Sequence, residues 1–219
     1  MVSLAPGPPW KVVARRAGLA ATNEFGAVVL ALPAAALARL AIGPAGGCPL
    51  APLDLVDYPP VTSLFLGFRR EQVAHPLDGF GALVPAVEQR SILGVLFSST
   101  LFPGRAPAGH VALTVYVGGT RQPELAQLAP EILRPRVLAD LRDLLGVTGE
   151  PAFSHATFWP HAIPQYNLGY ERALAAMTAT EELHPGLFIG GHVRDGISVA
   201  NCIAAGEHLA KAAAGHLAR

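Results

Sequence analysis

A short apolar run, Leu187 to Gly190, leads through Gly191-His192-Val193-Arg194-Asp195-Gly196 into a helical pattern beginning Ile197-Ser198-Val199. A strand that enters a helix through a glycine-containing turn can hold an anion. The first-turn amides lack intrahelical partners, the positive end of the helix dipole adds attraction, and Gly196 lets the main chain come close. The same residues also describe an ordinary helix start with Ser198 as N-cap, and geometry alone does not choose between the two. Gly191 and Gly196 have P-loop spacing, but Ile197 stands where the phosphate-binding lysine must be, which argues against nucleotide hydrolysis. Gly196-Ile197-Ser198-Val199-Ala200 approximates a nucleophile elbow, yet that class needs an acid and a histidine after the serine, and only Glu207, His208 and His216 follow. The histidines form no HxH or HExxH pattern, and His208 and His216 sit about 80° apart around the last helix, so they read as surface residues and no metal site is expected. His75, before Pro76, belongs to a turn. Trp159, in Phe158-Trp159-Pro160-His161-Ala162-Ile163-Pro164-Gln165-Tyr166, either lines a flat-ligand pocket or fills the core. No side chain stands out as a dedicated catalytic acid or base.

The elements that would position these groups follow from pattern. Val28 to Leu32 is a short β-branched run ended by Pro33, and Ala34 to Ala41 reads as a short helix. After the breaker-rich loop Gly43 to Pro52 come strand-like runs at Val61–Phe68, Phe80–Val84, Ile92–Phe97 and Val111–Val117. The turn signals between them, Leu77-Asp78-Gly79, Pro103-Gly104-Arg105 and Pro107 to Gly109, suit antiparallel connections. Pro135 is expected to open an amphipathic helix with Val137, Leu138, Leu141, Leu144 and Leu145 on one face, capped by Gly146 and covering that sheet. A helix from about Tyr170 to Glu182, a turn at His184-Pro185-Gly186 and the strand Leu187–Gly190 come next. The last helix begins near Ser198, and Val199, Cys202, Ile203, Leu209, Ala210, Ala213 and Leu217 are its expected packing stripe.

Composition narrows the function classes. The 219 residues, 51% hydrophobic, suffice for one large domain or two small ones. With 16 basic against 16 acidic residues and no basic cluster, nothing points to a nucleic-acid partner. Cys48 and Cys202 have neither zinc-ligand nor disulfide-scaffold spacing, which fits a reducing compartment. Mean hydropathy is +0.38. The apolar run Gly26 to Ala38 is nevertheless broken by Pro33 and falls short of the roughly 20 residues of a membrane-crossing helix. Pro6, Pro8 and Pro9 interrupt any signal peptide, so the chain is expected to stay inside the cell.

Six stretches, in this order and spacing, carry a resemblance: VVLALPA (Val28 to Ala34), HPLDGFGALVP (His75 to Pro85), ILGVLFSSTLFPGRAP (Ile92 to Pro107), LTVYVGGTRQPEL (Leu113 to Leu125), FWPHAIPQY (Phe158 to Tyr166) and GLFIGGHVRDGISVANCI (Gly186 to Ile203). They resemble the carboxyl-terminal half of the protoporphyrinogen oxidase family, within the flavin-containing amine oxidase superfamily. The resemblance implies an α/β plus α+β fold: the C-terminal part of an FAD-binding Rossmann-like domain, its first βαβ unit missing, with an inserted antiparallel-sheet substrate domain. It divides the chain into flavin-domain segments at 1–41 and 165–219 around a substrate-binding domain at 42–164. FAD is the implied cofactor, with Trp159, Gly191, Gly196, Ile197, Ser198 and Val199 as its binding residues and the Ala162 to Tyr166 stretch beside the isoalloxazine. Leu83, Leu96 and Tyr116 match the tetrapyrrole pocket, two aliphatic side chains and an aromatic one suited to a flat apolar macrocycle. Tyr116 takes a place often held by phenylalanine, and His192 one usually held by asparagine.

The implied reaction is six-electron oxidation of protoporphyrinogen IX to protoporphyrin IX with O2, in heme biosynthesis. Implied too are a cytoplasmic location, peripheral contact with the inner face of the membrane, and a homo-oligomer or a separate amino-terminal half as partner. Members of the family begin with a βαβ unit carrying GxGxxG, and no such fingerprint occurs in this sequence. Gly43-Pro44-Ala45-Gly46-Gly47 has the wrong spacing. The expectation is therefore a truncated oxidase, or a noncatalytic chain that needs a separate amino-terminal half to bind FAD. Among arginines that could meet a substrate propionate, Arg69, Arg70, Arg90, Arg105 and Arg121 are candidates by charge.

Overall fold

The computed structural model describes residues 3–43 and 46–219, so Pro44 and Ala45 of the breaker-rich loop lie outside the described residues. In chain order its elements are β1 (Ser3–Ala5), β2 (Trp10–Arg16), β3 (Leu19–Phe25), β4 (Val28–Leu30), α1 (Ala34–Ala38), β5 (Ala41–Ile42), β6 (Val61–Arg69), β7 (Gly81–Leu83), β8 (Ile92–Leu96), α2 (Ser98–Leu101), β9 (His110–Gly118), α3 (Pro123–Ala126), α4 (Pro130–Leu145), β10 (Phe153–Trp159), α5 (Glu171–Leu183), β11 (Leu187–Ile189) and α6 (Val199–Leu217). They fall into two compact units, one running to Asp57 and resuming over Ile163–Arg219, the other Tyr58–Ala162. The second unit thus starts at Tyr58 rather than at residue 42. The reason is packing: Leu50 and Leu53 are fully buried, and the 3-10 turn Ala51–Leu55 lies against α1 and α5 of the first unit.

In the first unit β1 pairs antiparallel with β2 and parallel with β5, giving the order β3-β2-β1-β5. None of β1–β3 was expected from the sequence. The β2–β3 hairpin turns through Ala17 and Gly18, both left-handed (φ 49° and 82°), as a two-residue hairpin loop requires. Alanine is an uncommon choice there, so the turn gives a weak signal. Trp10 anchors the sheet: it is buried and its indole N–H donates to the Pro185 carbonyl at 3.1 Å. The apolar runs at Val28 and Leu187 form the parallel pair β4–β11, which α6 contacts on both strands and α5 on β11.

Helix α6 departs from the expected stripe. Ala205 is its buried residue, with Cys202, Leu209, Ala213 and His216 partly covered, whereas Val199 and Ile203 are 78% and 62% exposed and Ala210 and Leu217 are also exposed. The inward face is rotated from the expected one because the contact residues recur at 202, 205, 209, 213 and 216, and so share one side of the helix.

The second unit is a five-stranded antiparallel sheet of order β10-β6-β9-β8-β7. Strict alternation along β6 buries Thr62, Leu64, Leu66 and Phe68 and turns Ser63, Phe65 and Gly67 to the opposite face. On β9, Val111, Leu113, Val115 and Val117 join the same core. Leu133, Val137, Leu138, Leu141 and Leu145 of α4 cover it. Each such aliphatic side chain contributes about 1.5–3 kcal/mol on burial. The helix opens at Pro130, with Pro135 inside it rather than at its start. Pro130 at the first helical position forgoes an amide that has no intrahelical partner anyway, and Pro135 forgoes one bond near the exposed amino end. Gly146 caps the far end, its N–H donating to Arg142 O at 3.0 Å.

Candidate functional site

The strand–turn–helix at the carboxyl end is held by side chains that the sequence did not single out. Glu181 of α5 reaches the outer edge of β11, where its Oε1 accepts from the Ile189 amide at 2.6 Å and its Oε2 pairs with Arg194 Nη1 at 2.7 Å. The same Arg194 nitrogen donates to the Ile189 carbonyl at 2.8 Å, so the edge of β11 ends in a carboxylate–guanidinium clamp. Tyr166 and Tyr170 donate through their hydroxyls to the carbonyls of His192 and Val193, with their rings 4.6 Å apart. Two aromatic side chains therefore fix the middle of the turn.

Within the turn, Asp195 Oδ2 accepts from the Gly191 amide at 2.7 Å. Gly196 has φ +108°, and a Cβ there would fall 2.2 Å from Asn201 Nδ2, so the turn closes against Asn201 only with glycine. Asn201 Nδ2 donates to the Asp195 carbonyl at 3.2 Å, the Asn201 amide donates to Ser198 Oγ at 3.0 Å, and the Ser198 hydroxyl donates to Asn201 Oδ1. Ser198 is the N-cap of α6. The Gly191 amide and Ser198 hydroxyl are thus engaged within the turn. Among the described residues, the Val199 and Ala200 amides at the start of α6 donate to nothing, and Ile197 and Val199 are exposed. The donors that face outward are main-chain amides at the positive end of a long helix, which suits a phosphate or another anion.

The expected macrocycle residues belong to the second unit. Leu83, Leu96 and Tyr116 line one cavity of about 380 Å³ together with Phe80, Gly81 and Gly94. It lies on the face of the sheet opposite the α4 core. Register explains the convergence: Tyr116 of β9 pairs with Gly94 of β8, Gly94 with Leu83 of β7, and Leu96 with Gly81. A Cβ on Gly94 would stand 2.6 Å from the Ala82 carbonyl, so glycine lets β7 and β8 approach and leaves a floor without side chains. Leu83 is 88% exposed and Phe80 69%, large apolar groups presented to the opening. Gly94 went unremarked in the sequence, although a glycine inside a strand pattern is the usual mark of such close approach.

Trp159, on β10, is half exposed, and its indole N–H donates to Ser63 Oγ at 3.2 Å. Ser63 pairs with Tyr116, so Trp159 stands on the cavity-bearing face of the same sheet. Trp159 belongs to the Tyr58–Ala162 unit, and the other five expected cofactor residues to the first unit. Of the arginines, Arg70 donates to the carbonyls of Val73 and His75, and Arg121 to those of Val84 and Ile92. Arg90 pairs with Asp143 and Asp140, and the hydrogen bond to Asp143 is the main cause of its pKa lying above the ordinary arginine value. Arg69 borders a shallow depression with Glu71 and Glu150, and Arg105 lies over the Phe102 ring. His75 serves its turn, Nδ1 accepting from the Leu77 amide at 3.0 Å. Among the described residues no three His, Cys, Asp or Glu side chains gather as metal ligands do.

Comparison with known proteins adds the family. Residues 12–214 match the family model described as flavin containing amine oxidoreductase. The mitochondrial protoporphyrinogen oxidase of Nicotiana tabacum is 38% identical over 192 residues, which cover 86% of this chain and 38% of that protein. Protoporphyrinogen oxidase 2 of Arabidopsis thaliana is 40% identical over 157 residues, 70% of this chain and 31% of that protein. The coproporphyrinogen III oxidase of Bacillus subtilis (strain 168) is 26% identical over 148 residues, 67% of this chain and 32% of that protein. The chain therefore spans between 31% and 38% of the length of these relatives. Among solved structures, a putative protoporphyrinogen oxidase from Exiguobacterium sp. 255-15 superposes with a TM-score of 0.77 at 20% identity, over 99% of this chain and 46% of that one. The cyclohexylamine oxidase of Brevibacterium oxydans gives 0.73 at 14% identity, over 100% and 49%. These two share the mixed α/β fold. The match over nearly the whole chain makes it a member of the flavin-containing amine oxidoreductase family.

Proposed function

We propose that this chain carries the substrate sheet and one wall of the FAD site of an oxygen-dependent protoporphyrinogen oxidase, acting in the cytoplasm in peripheral contact with the membrane. The observation that carries the reading is the apolar cavity in which Leu83, Leu96 and Tyr116 converge, in a member of a flavin-containing family whose similar proteins include protoporphyrinogen oxidases. An exposed, almost wholly apolar concavity on a rigid sheet suits the apolar ring of a tetrapyrrole, whose propionates would lie outside it, and its lining would hold the ring and keep water from it. The amides at the start of α6, with Gly191, Gly196, Ile197, Ser198 and Val199 around them, are the groups that would favour the negative charge of a dinucleotide. FAD, when bound, supplies the hydride acceptor for the six-electron oxidation, and O2 the final oxidant. The protein's part is position and electrostatics rather than acid–base chemistry.

The sequence has no GxGxxG turn, so the remaining wall of a dinucleotide site would come from other residues, in the same or a second polypeptide. A noncatalytic chain that waits for such a segment is the second reading. Purified chain, alone and coexpressed with a GxGxxG-bearing amino-terminal half of a relative, tests both through bound-flavin absorbance and porphyrinogen oxidation. Flavin uptake and oxidation only on coexpression support the shared site. Stoichiometric flavin and turnover by this chain alone overturn the shared wall, and no flavin in either case overturns the FAD assignment.

A further inference from the structure

A second cavity, of about 420 Å³, lies on the same open face of the five-stranded sheet. Phe65, Gly67, Ala112 and Phe153 line it, with Arg105 and His110 beside them. Ala112 and Tyr116 are both on β9, which puts this cavity roughly 13 Å along the strand from the tyrosine of the first one. Its size lies within the range of about 300–1,000 Å³ typical of small-ligand sites, so it can hold a ligand of its own. Phe65 and Phe153 meet edge to face, centroids 6.1 Å apart, and Gly67 and Ala112 keep the floor free of bulk.

The charge pattern distinguishes this cavity. Arg70, Arg90 and Arg121 are committed to carbonyls or carboxylates of the fold, whereas the Arg105 side chain is exposed, its main-chain N–H donating to the Phe102 carbonyl in the turn. Among the described residues it forms no ion pair, its guanidinium lies 5.6 Å from the Phe102 ring centroid, and no carboxylate lines the cavity. His110 Nδ1 is within 3.1 Å of the Ala108 carbonyl. One permanent cation at an otherwise apolar cavity calls for one carboxylate on an uncharged skeleton. A porphyrin with two propionates would bring a second carboxylate for which this cavity offers no second permanent cation.

We propose that this cavity is a second ligand site, separate from the one that holds Leu83, Leu96 and Tyr116, and that it takes an apolar monocarboxylate of the acyl type with its carboxylate on Arg105. The inference does not depend on the oxidase reading. The test is calorimetric titration of the full chain with dodecanoate and with its methyl ester, both below micelle-forming concentrations, repeated with Arg105→Gln and with protoporphyrin IX present. Dodecanoate should bind saturably and about tenfold more tightly than the ester, as a charge-assisted hydrogen bond warrants. Arg105→Gln, at an exposed side chain, should remove that preference, and protoporphyrin IX should leave it unchanged. Equal binding of acid and ester, no saturable binding, or an acid preference that survives Arg105→Gln overturns the proposal. Displacement of dodecanoate by protoporphyrin IX overturns the separateness of the site and assigns Arg105 to the tetrapyrrole instead.

Discussion

Burial distinguishes the leucines of the second unit's core from the one at its cavity mouth. Leu141 is fully buried among the strands of the second unit, and Leu83, chemically identical, is 88% exposed at a cavity mouth. Leu141→Ala should therefore cost about 2–5 kcal/mol of stability, read by urea unfolding, because it leaves a cavity in a packed core. Leu83→Ala should cost no more than about 0.5 kcal/mol yet weaken protoporphyrin binding several-fold, read by tryptophan quenching. Equal destabilisation by the two would contradict the site assignment. That Leu83, Leu96 and Tyr116 converge on one cavity was legible in the sequence only through resemblance, since nothing in an isolated leucine says that it sits at a cavity mouth. Glu181, Tyr170 and Asn201 were not legible at all. Their roles depend on bringing α5 and the first turn of α6 against a turn near β11, and no local spacing encodes that.

At the level of elements, legibility followed burial. Strands β6 and β9 and helix α4 bury apolar residues at regular intervals, so their positions are written in the hydrophobic period. Strand β3 is exposed at every residue and β10 at most of its length, and neither carries an alternation to read. Helix α6 was placed correctly, with Ser198 at its start, but alanines all round it made the inward face ambiguous. The edge of β11 is the element with the clearest consequence. Arg194→Leu would remove the donor to the Ile189 carbonyl and leave Glu181 without its ion-pair partner at a part-buried position, held only by the Ile189 amide. Losing a charge-assisted hydrogen bond there should cost about 1.5–3 kcal/mol. It should also raise light scattering on standing, because an uncapped strand edge templates further pairing. Unchanged stability and clear solutions would show that the clamp is dispensable. Gly94→Val tests the other sheet: the new side chain must push β7 away from β8, so porphyrin binding should fall even where circular dichroism keeps its strand signal.

For the whole molecule, the two edges of the β4–β11 pair are not equivalent. The edge of β11 is closed, its Leu187 amide bonded to the His184 carbonyl and its Ile189 groups to Glu181 and Arg194. On β4, the Val28 amide bonds to Gly186 O and the Leu30 carbonyl accepts from Gly190, so the alternation of a parallel ladder turns the Val29 amide and carbonyl to the other side. Among the described residues no strand pairs there, and Val29 and Leu32 are exposed. A two-stranded parallel sheet with one open apolar edge offers that edge for further pairing. Its open side lies outward from β4, and under the proposed function that is where the strand of a GxGxxG-bearing segment would add. Val29→Lys places a charge on that edge without touching the β11 side. It should lower self-association of the chain in sedimentation velocity and reduce flavin uptake on coexpression with a GxGxxG-bearing half, while the far-ultraviolet spectrum stays the same. If Val29→Lys left both association and flavin uptake unaltered, the open edge of β4 would not be where the sheet is completed, and the shared wall of the cofactor site would have to be sought elsewhere.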